Sequence, residues 1–165
     1  MSGIFGMNIK MAIYGESHGK SIGVVLDGLP PGLALDEAAI AAEMARRAPG
    51  QNALSTARKE SDTVEIQSGF FNGFTTGTPL CARIVNSDQH SKDYSILADK
   101  MRPGHADYAG HVRYQGFNDY RGGGHFSGRL TAPLVFAGAV AKQALAQYGI
   151  VVGSHILQIN DIKEE

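Results

Sequence analysis

Asn118-Asp119-Tyr120-Arg121-Gly122-Gly123-Gly124-His125-Phe126-Ser127-Gly128-Arg129-Leu130-Thr131 is a glycine-rich loop that runs directly into an apolar helical pattern beginning near Ala132. Consecutive glycines let the backbone enter conformations that a Cβ forbids and let a ligand come close to the main chain. The start of the following helix offers unpaired N–H groups and a positive dipole end. The stretch therefore reads as an anion site, with Arg121, Ser127 and Arg129 as further donors. Glycines that only make turns are the competing reading. A second polar, glycine-flanked stretch, Gly15-Glu16-Ser17-His18-Gly19-Lys20-Ser21, favours the anion site.

Downstream of the loop, Thr131 is placed to cap a helix from Ala132 to about Tyr148, with Gly149 as its stop. Its apolar residues lie nearly all round, which predicts a central helix. Upstream, Ile9, Met11 and Ile13 alternate with polar or small residues, and Ser21 to Leu26 is a second short β-like run, so Gly15 to Lys20 is a strand connection. After the turn residues Asp27 to Gly32, Asp36 can cap a helix running to about Arg47, with Ile40 and Met44 on one face and Pro49-Gly50 stopping it. Arg46 and Arg47 fall in its last turn, where the helix dipole favours cations. Val64, Ile66 and Phe70-Phe71 suggest a strand, Asn72-Gly73 a tight turn and Leu80 to Val85 a returning strand, with Thr75 to Pro79 arguing against a simple two-residue hairpin between them. Ile150 to Ile159 has strand-like stretches, and Asn160 to Glu165 shows no clear terminal element. The fold class is α+β.

Two stretches lack periodicity. Gln51 to Asp62, with Ser55, Thr56, Arg58, Lys59 and Glu60, reads as a mobile functional loop. Asp88 to Gly116 is polar and irregular, and a connection of that length in a compact domain is usually functional or disordered. Its histidines and arginines, among them His90, Arg102, His105, His111 and Arg113, favour function.

At 165 residues, 43% hydrophobic and 19% charged, the chain has the size and composition of one soluble domain. A net charge of −1 removes any global reason to expect nucleic acid or a membrane surface as partner. Cys81 is the single cysteine, which excludes an internal disulfide framework and suits a reducing cytosol, with core packing as its expected role. Ser2 to Gly6 lacks the features of a secretory signal, and the apolar run Ala132 to Ala141 is too short to span a bilayer, so a cytoplasmic protein is expected. Gly19-Lys20-Ser21 invites comparison with the nucleotide-binding P-loop, but that pattern needs glycine where this chain has Tyr14. His18, His105, His111 and His125 include no pair at His-x-x-x-His spacing, and no metal site is expected.

Four ordered motifs then carry a family resemblance. They are Gly15-Glu16-Ser17-His18-Gly19 with its sequel to Gly28-Leu29-Pro30; Arg46-Arg47 through Ser55-Thr56-Ala57-Arg58-Lys59-Glu60; Arg102-Pro103-Gly104-His105-Ala106-Asp107; and Asp119-Tyr120-Arg121-Gly122-Gly123-Gly124 through Ser127-Gly128-Arg129-Leu130-Thr131. With these the chain resembles the N-terminal half of chorismate synthase, whose members are about twice as long. The resemblance implies helices sandwiched between antiparallel sheets, of which residues 1–165 would form about half, and a homotetramer when complete.

It also implies an anti-1,4 elimination of phosphate and a ring proton from 5-enolpyruvylshikimate 3-phosphate to give chorismate. Reduced FMN is required without net redox change, and its reduction comes either from NADPH on the same protein or from a separate reductase. By the same resemblance Arg47, Arg102 and Arg129 bind the anionic substrate, for which guanidinium forks are suited. His18 protonates the departing phosphate and His105 protonates reduced flavin, a role that imidazole fills near neutral pH. Ser17 and Ser127 orient these groups, and His105, Arg121, Gly123, Gly124 and Ser127 contact the cofactor. His90, His111 and His155 are left as ordinary surface or core residues. The chain departs from many relatives at Ala53, where they carry a basic residue, and the family's C-terminal half adds flavin contacts, a substrate arginine and an aspartate near flavin N5. The alternative to an enzyme is a noncatalytic truncated fragment or anion-binding interaction module.

Overall fold

A computed structural model describes residues 3–48, 61–87, 94 and 98–164. The Pro49-Gly50 stop, the expected loop up to residue 60 with Ala53, and His90 lie outside the described residues.

Five strands form one antiparallel sheet: β1 (Ile4–Phe5), β2 (Lys10–Gly15), β3 (Ser21–Asp27), β4 (Val64–Ser68) and β7 (Leu80–Val85), in the order β1-β2-β3-β7-β4. Alternation decides which side is core. On β3, Ile22, Val24 and Leu26 are buried, and the register sets them opposite Ile84, Ala82 and Leu80 of β7, which are also buried. These cross-strand pairs form one continuous apolar face. Cys81 belongs to the other face, half-buried and beside Tyr14, so its expected place in the core is corrected: the period of two along β7 turns it away from Leu80 and Ala82.

Helices α1 (Glu37–Arg47) and α3 (Thr131–Ala146) cover the apolar face. The Asp36 carboxylate caps α1 by accepting the Ala39 N–H at 3.0 Å, and Ile40 and Met44 point into the core. α3 contributes Ala132, Phe136, Ala137, Ala139 and Val140 to the same cluster. The two helices are tied by Gln143, which accepts from the Asp36 N–H at 2.8 Å and donates to its carbonyl at 3.1 Å, and by a Lys142–Glu43 ion pair at 2.7 Å. α3 ends at Gly149 in a Schellman pattern, with Gly149 N–H donating to Ala146 O and Ile150 N–H to Leu145 O. Its beginning differs from expectation. The Thr131 hydroxyl donates to Gly128 O at 2.6 Å, so it closes the preceding turn and leaves α3 with no side-chain cap.

Three other elements refine the sequence reading. Asn72-Gly73, both at positive φ, is a two-residue hairpin turn between β5 (Phe70–Phe71) and β6 (Phe74–Thr75), while the returning strand β7 pairs with β4. The polar stretch before Gly116 contains a short helix, α2 (Asp107–Arg113), too brief and too weakly capped to leave a periodic signal. Of the strand-like residues Ile150 to Ile159 only β8 (Gln158–Ile159) is a strand, and it pairs with β9 (Ile162–Lys163) across a turn with Asn160 at φ 53°. No helix among the described residues is long and apolar enough to cross a membrane.

Phe136 is fully buried between α1 and the sheet. Phe136→Ala is expected to lower unfolding free energy by about 3–5 kcal/mol. Leu134→Ala, at a position 39% exposed on the same helix, should cost clearly less. Urea unfolding of the two variants checks the orientation of α3.

Candidate functional site

The antiparallel topology gathers one set of chain ends at one end of the sheet. β2 ends there at Gly15, β3 begins at Ser21, β7 ends at Val85 and β4 begins at Val64, as the pairings Gly15↔Ile22, Ser21↔Val85 and Val64↔Ile84 require. Arg47 closes α1 and Thr131 opens α3 at the same end, bridged by the Arg47 Nη2 contact to Thr131 Oγ1 at 3.3 Å. Loops distant in sequence are thereby brought into one place.

The glycine loop is built around two imidazoles. Gly122, Gly123 and Gly124 have φ of 57°, 83° and 55°, the left-handed region that side chains avoid. A Cβ on Gly122 would sit well inside 3.0 Å of the His18 ring, and one on Gly123 would lie 2.5 Å from His105 Cε1 and 3.0 Å from its Nε2. Each ring thus leans on its own glycine, and the glycines are adjacent. Ser17 and His18 are buried, and the Ser17 N–H donates to Gly124 O at 3.0 Å, locking the first motif to the third glycine. His18 also meets Tyr94 edge to face at 4.8 Å between ring centres. His125 Nδ1 lies 2.8 Å from Gly15 O and makes a second tie between the loops.

The predicted arginines are held by aspartates that the sequence reading had not singled out. Arg47 Nη1 donates to Asp62 Oδ2 at 2.7 Å, while Arg129 Nη1 donates to Asp62 Oδ1, so one fully buried carboxylate bridges both guanidinium groups. Arg129 Nε donates to Asn86 Oδ1 at 3.1 Å. The Asn86 amide in turn donates to Glu16 O at 3.1 Å and Gly19 O at 2.8 Å, joining the arginine cluster to the loop that carries His18. Asp62 itself adopts φ 49°. Its place at the end of an aperiodic polar stretch concealed it, since no local pattern announces a long-range carboxylate.

A second aspartate, Asp107, accepts from Arg102 Nε at 2.8 Å and Nη2 at 3.0 Å, from the Arg102 backbone N–H at 3.1 Å, and lies 2.7 Å from His105 Nδ1. The Arg102 side chain beside it, aided by the backbone bond and by Coulomb attraction, holds its carboxyl at about 2, against the opposing effect of burial. Arg121 is gripped by Asp119 through Nε at 2.9 Å and Nη2 at 2.7 Å, and those bonds depress the Asp119 carboxyl below its ordinary range. Ser127 accepts the Arg129 N–H at 3.3 Å and so caps the turn Gly128–Leu130. No hydrogen bond from Ser127 to a histidine occurs among the described residues.

Of the predicted site residues, Ser17, His18, His105, Arg102, Gly123 and Gly124 therefore gather on the glycine loop, and Arg47 and Arg129 gather around Asp62, with Ser127 capping the turn that carries Arg129. Asn86 connects the two groups. Arg121 stands at the head of the glycine loop with its side chain 40% exposed. His155 lies apart, 3.0 Å from Glu164 in the exposed C-terminal hairpin region.

Two outcomes test this geometry. Gly122→Ala is expected to destabilise the chain more than Gly32→Ala, because both glycines have positive φ but only Gly122 has a side chain where the Cβ would go. Backbone strain alone costs on the order of 1–3 kcal/mol, and thermal unfolding of the pair separates it from collision with His18. Because its folded value lies below the ordinary 3.8, Asp107 adds stability that is complete above pH 4 and is lost as pH falls toward 2. Asp107→Asn should remove about 2 kcal/mol of that acid-sensitive stability, read from the difference between unfolding free energies at pH 6 and pH 2.

The same arrangement of chain has been met in known proteins. The family profile described as chorismate synthase matches residues 9–165. A chorismate synthase of Cytophaga hutchinsonii is 48% identical over 163 residues, covering 99% of this chain and 45% of the relative. One from Sulfurimonas denitrificans is 52% identical over 159 residues, covering 96% and 44%. A crystal structure of chorismate synthase superposes with a TM-score of 0.68 at 30% identity, over 96% of this chain and 40% of that one. The chain spans slightly under half the length of these relatives. Sequence, fold and the described parts of the motifs, which meet at one end of one sheet, agree: this chain belongs to the chorismate synthase family.

Proposed function

We propose that the chain supplies the substrate-anion and proton-transfer part of a chorismate synthase site, for elimination of phosphate from 5-enolpyruvylshikimate 3-phosphate to give chorismate with reduced FMN. The observation that carries this reading is the seating of His18 and His105 on adjacent glycines beside carboxylate-held arginines. The substrate has two carboxylates and a phosphate, and Arg47, Arg102 and Arg129 present guanidinium groups already oriented by Asp62 and Asp107. Fixed donors of that kind bind anions without reorganising when charge develops.

His18, packed in a buried position next to Ser17, donates a proton to the departing phosphate. Ser17 holds the loop that places the ring. His105, whose side chain is 30% exposed, would hold the proton destined for the reduced cofactor. The Cε1–Nε2 edge of His105 lies over Gly123, where only a residue without a Cβ leaves room for the ring. Gly123, Gly124, Arg121, His105 and Ser127 would hold reduced FMN. The chemistry that the bound cofactor would supply is transient electron donation toward loss of phosphate, with no net redox change. The working enzyme is a cytoplasmic homotetramer in this proposal, an expectation supported by the family alone.

A second reading, a noncatalytic anion-binding module, is favoured by one observation: the relatives are more than twice as long as the matched region. The test is chorismate formation by the chain alone and after adding the C-terminal part of the Sulfurimonas denitrificans relative. Turnover restored only by the added part, and only with reduced FMN, supports the enzyme. Phosphate retention without turnover in any mixture supports the module.

In the active mixture, His18→Ala and His105→Ala are each expected to lower turnover by about 10²- to 10⁴-fold. Arg47→Ala and Arg129→Ala should instead weaken substrate binding by roughly 2–5 kcal/mol, with lysine restoring only part because it lacks the planar fork. Steady-state kinetics and substrate titration distinguish the two classes of variant.

A further inference from the structure

The carboxylate of Asp107 faces two cationic or potentially cationic partners, and only one assignment of protons satisfies all three. Oδ2 accepts the backbone N–H and the Nε of Arg102, and Oδ1 accepts Arg102 Nη2 at 3.0 Å. His105 Nδ1 stands 2.7 Å from Oδ1 and 3.3 Å from Arg102 Nη2. Arginine nitrogen only donates, and an ionised carboxylate only accepts. If Nδ1 carried a lone pair, that pair would point at a carboxylate oxygen within hydrogen-bond distance, an arrangement that is repulsive. A proton on Nδ1 converts the same contact into a charge-assisted hydrogen bond and leaves the longer approach to Arg102 as packing.

The other nitrogen is placed differently. Nε2 lies on the ring edge over Gly123 and has no hydrogen-bond partner among the described residues. We propose that Asp107 is a positioning residue that fixes His105 as the Nδ1-protonated tautomer, so that Nε2 alone gives and takes the proton. The proposal rests on the reading of His105 as a proton carrier. In the transfer the Nε2–H bond of the imidazolium breaks, its electron pair stays on Nε2, the proton passes to the acceptor, and the Nδ1–H bond to Asp107 is unchanged. A carboxylate used in this way sets tautomer and ring orientation without itself taking the proton. Asp107 also grips Arg102, so one side chain aligns a proton donor and a substrate-binding fork, and among the described residues the charged groups facing His105 are Asp107 and Arg102.

The test is long-range proton–nitrogen correlation of the imidazoles in the uniformly nitrogen-15-labelled 165-residue chain, at a pH where the rings are neutral. For wild type, His105 should show a protonated, pyrrole-like Nδ1 and a pyridine-like Nε2, the reverse of the preference of free histidine. In Asp107→Ala the Nε2-protonated form should become the major species, and Asp107→Glu should restore the original pattern at least in part. A pyridine-like Nδ1 in wild type overturns the proposal, whether or not any variant folds. So does a folded Asp107→Ala chain with an unchanged tautomer. The readout needs no turnover, so its failure differs from failure of the proposed function. A fixed tautomer in a site where His105→Ala leaves chorismate formation unchanged would refute the proton-carrier role and leave the tautomer assignment standing.

Discussion

A guanidinium placed to meet an anion must first be kept from collapsing onto whatever is near, and in this fold carboxylates meet that constraint. Asp62 bridges Arg47 and Arg129, Asp107 grips Arg102, and Asp119 grips Arg121. The Asp62 bridge is the most demanding, because its carboxylate is fully buried and the Arg129 side chain is only 4% exposed. Removing one partner of a buried ion pair typically costs about 3–5 kcal/mol, since the remaining charge is left without compensation. The end of α1, the segment leading into β4 and the turn before α3 therefore hold one another in place. Exposed pairs such as Arg46–Glu43, whose arginine side chain is 75% exposed, contribute far less.

The sheet makes that arrangement possible. Its core pairs, Ile22 with Ile84 and Leu26 with Leu80, fix the register of β3 against β7, and a slip of one residue would turn every one of them to the wrong face. The same register puts Asn86 next to Lys20, where its side chain can join Glu16 and Gly19 to Arg129. Apolar packing along the strands thus determines polar geometry at their site end. The helices carry out a similar division, with Phe136 and Val140 in the core and Arg47 and Thr131 at the site end.

Local patterns in the sequence were enough for the parts of the fold that depend on local chemistry. Asp36 as a cap, Ile40 and Met44 as the inner face of α1, the β2–β3 connection and the Gly149 stop all follow from periodicity and end chemistry. Thr131 shows the limit of such reasoning: it has the residue type of a cap but spends its hydroxyl on Gly128 O. α2 and the β8–β9 hairpin were missed because seven residues and two-residue strands carry too little repetition to read. At the site, the histidines, arginines and glycines were legible because they sit in dense motifs. Asp62 and Asn86 were not, because their partners lie 15 to 70 residues away and become neighbours only when the sheet closes. Asp107 stood in view inside a motif, yet its grip on Arg102 and His105 depends on the return of the chain at Gly104, which has φ 75°.

The seating of two rings on adjacent glycines also sets a scale of length. Successive α-carbons across a trans peptide are about 3.8 Å apart, and that step is among the stiffest in a polypeptide because the bond between them does not rotate freely. His18 arrives from the β2–β3 loop and His105 from the stretch before α2, two segments that could drift independently. Resting on Gly122 and Gly123, they are referred to a common ruler made of one peptide unit. A bend of the loop as a whole would carry both imidazoles together and leave their offset along the backbone unchanged.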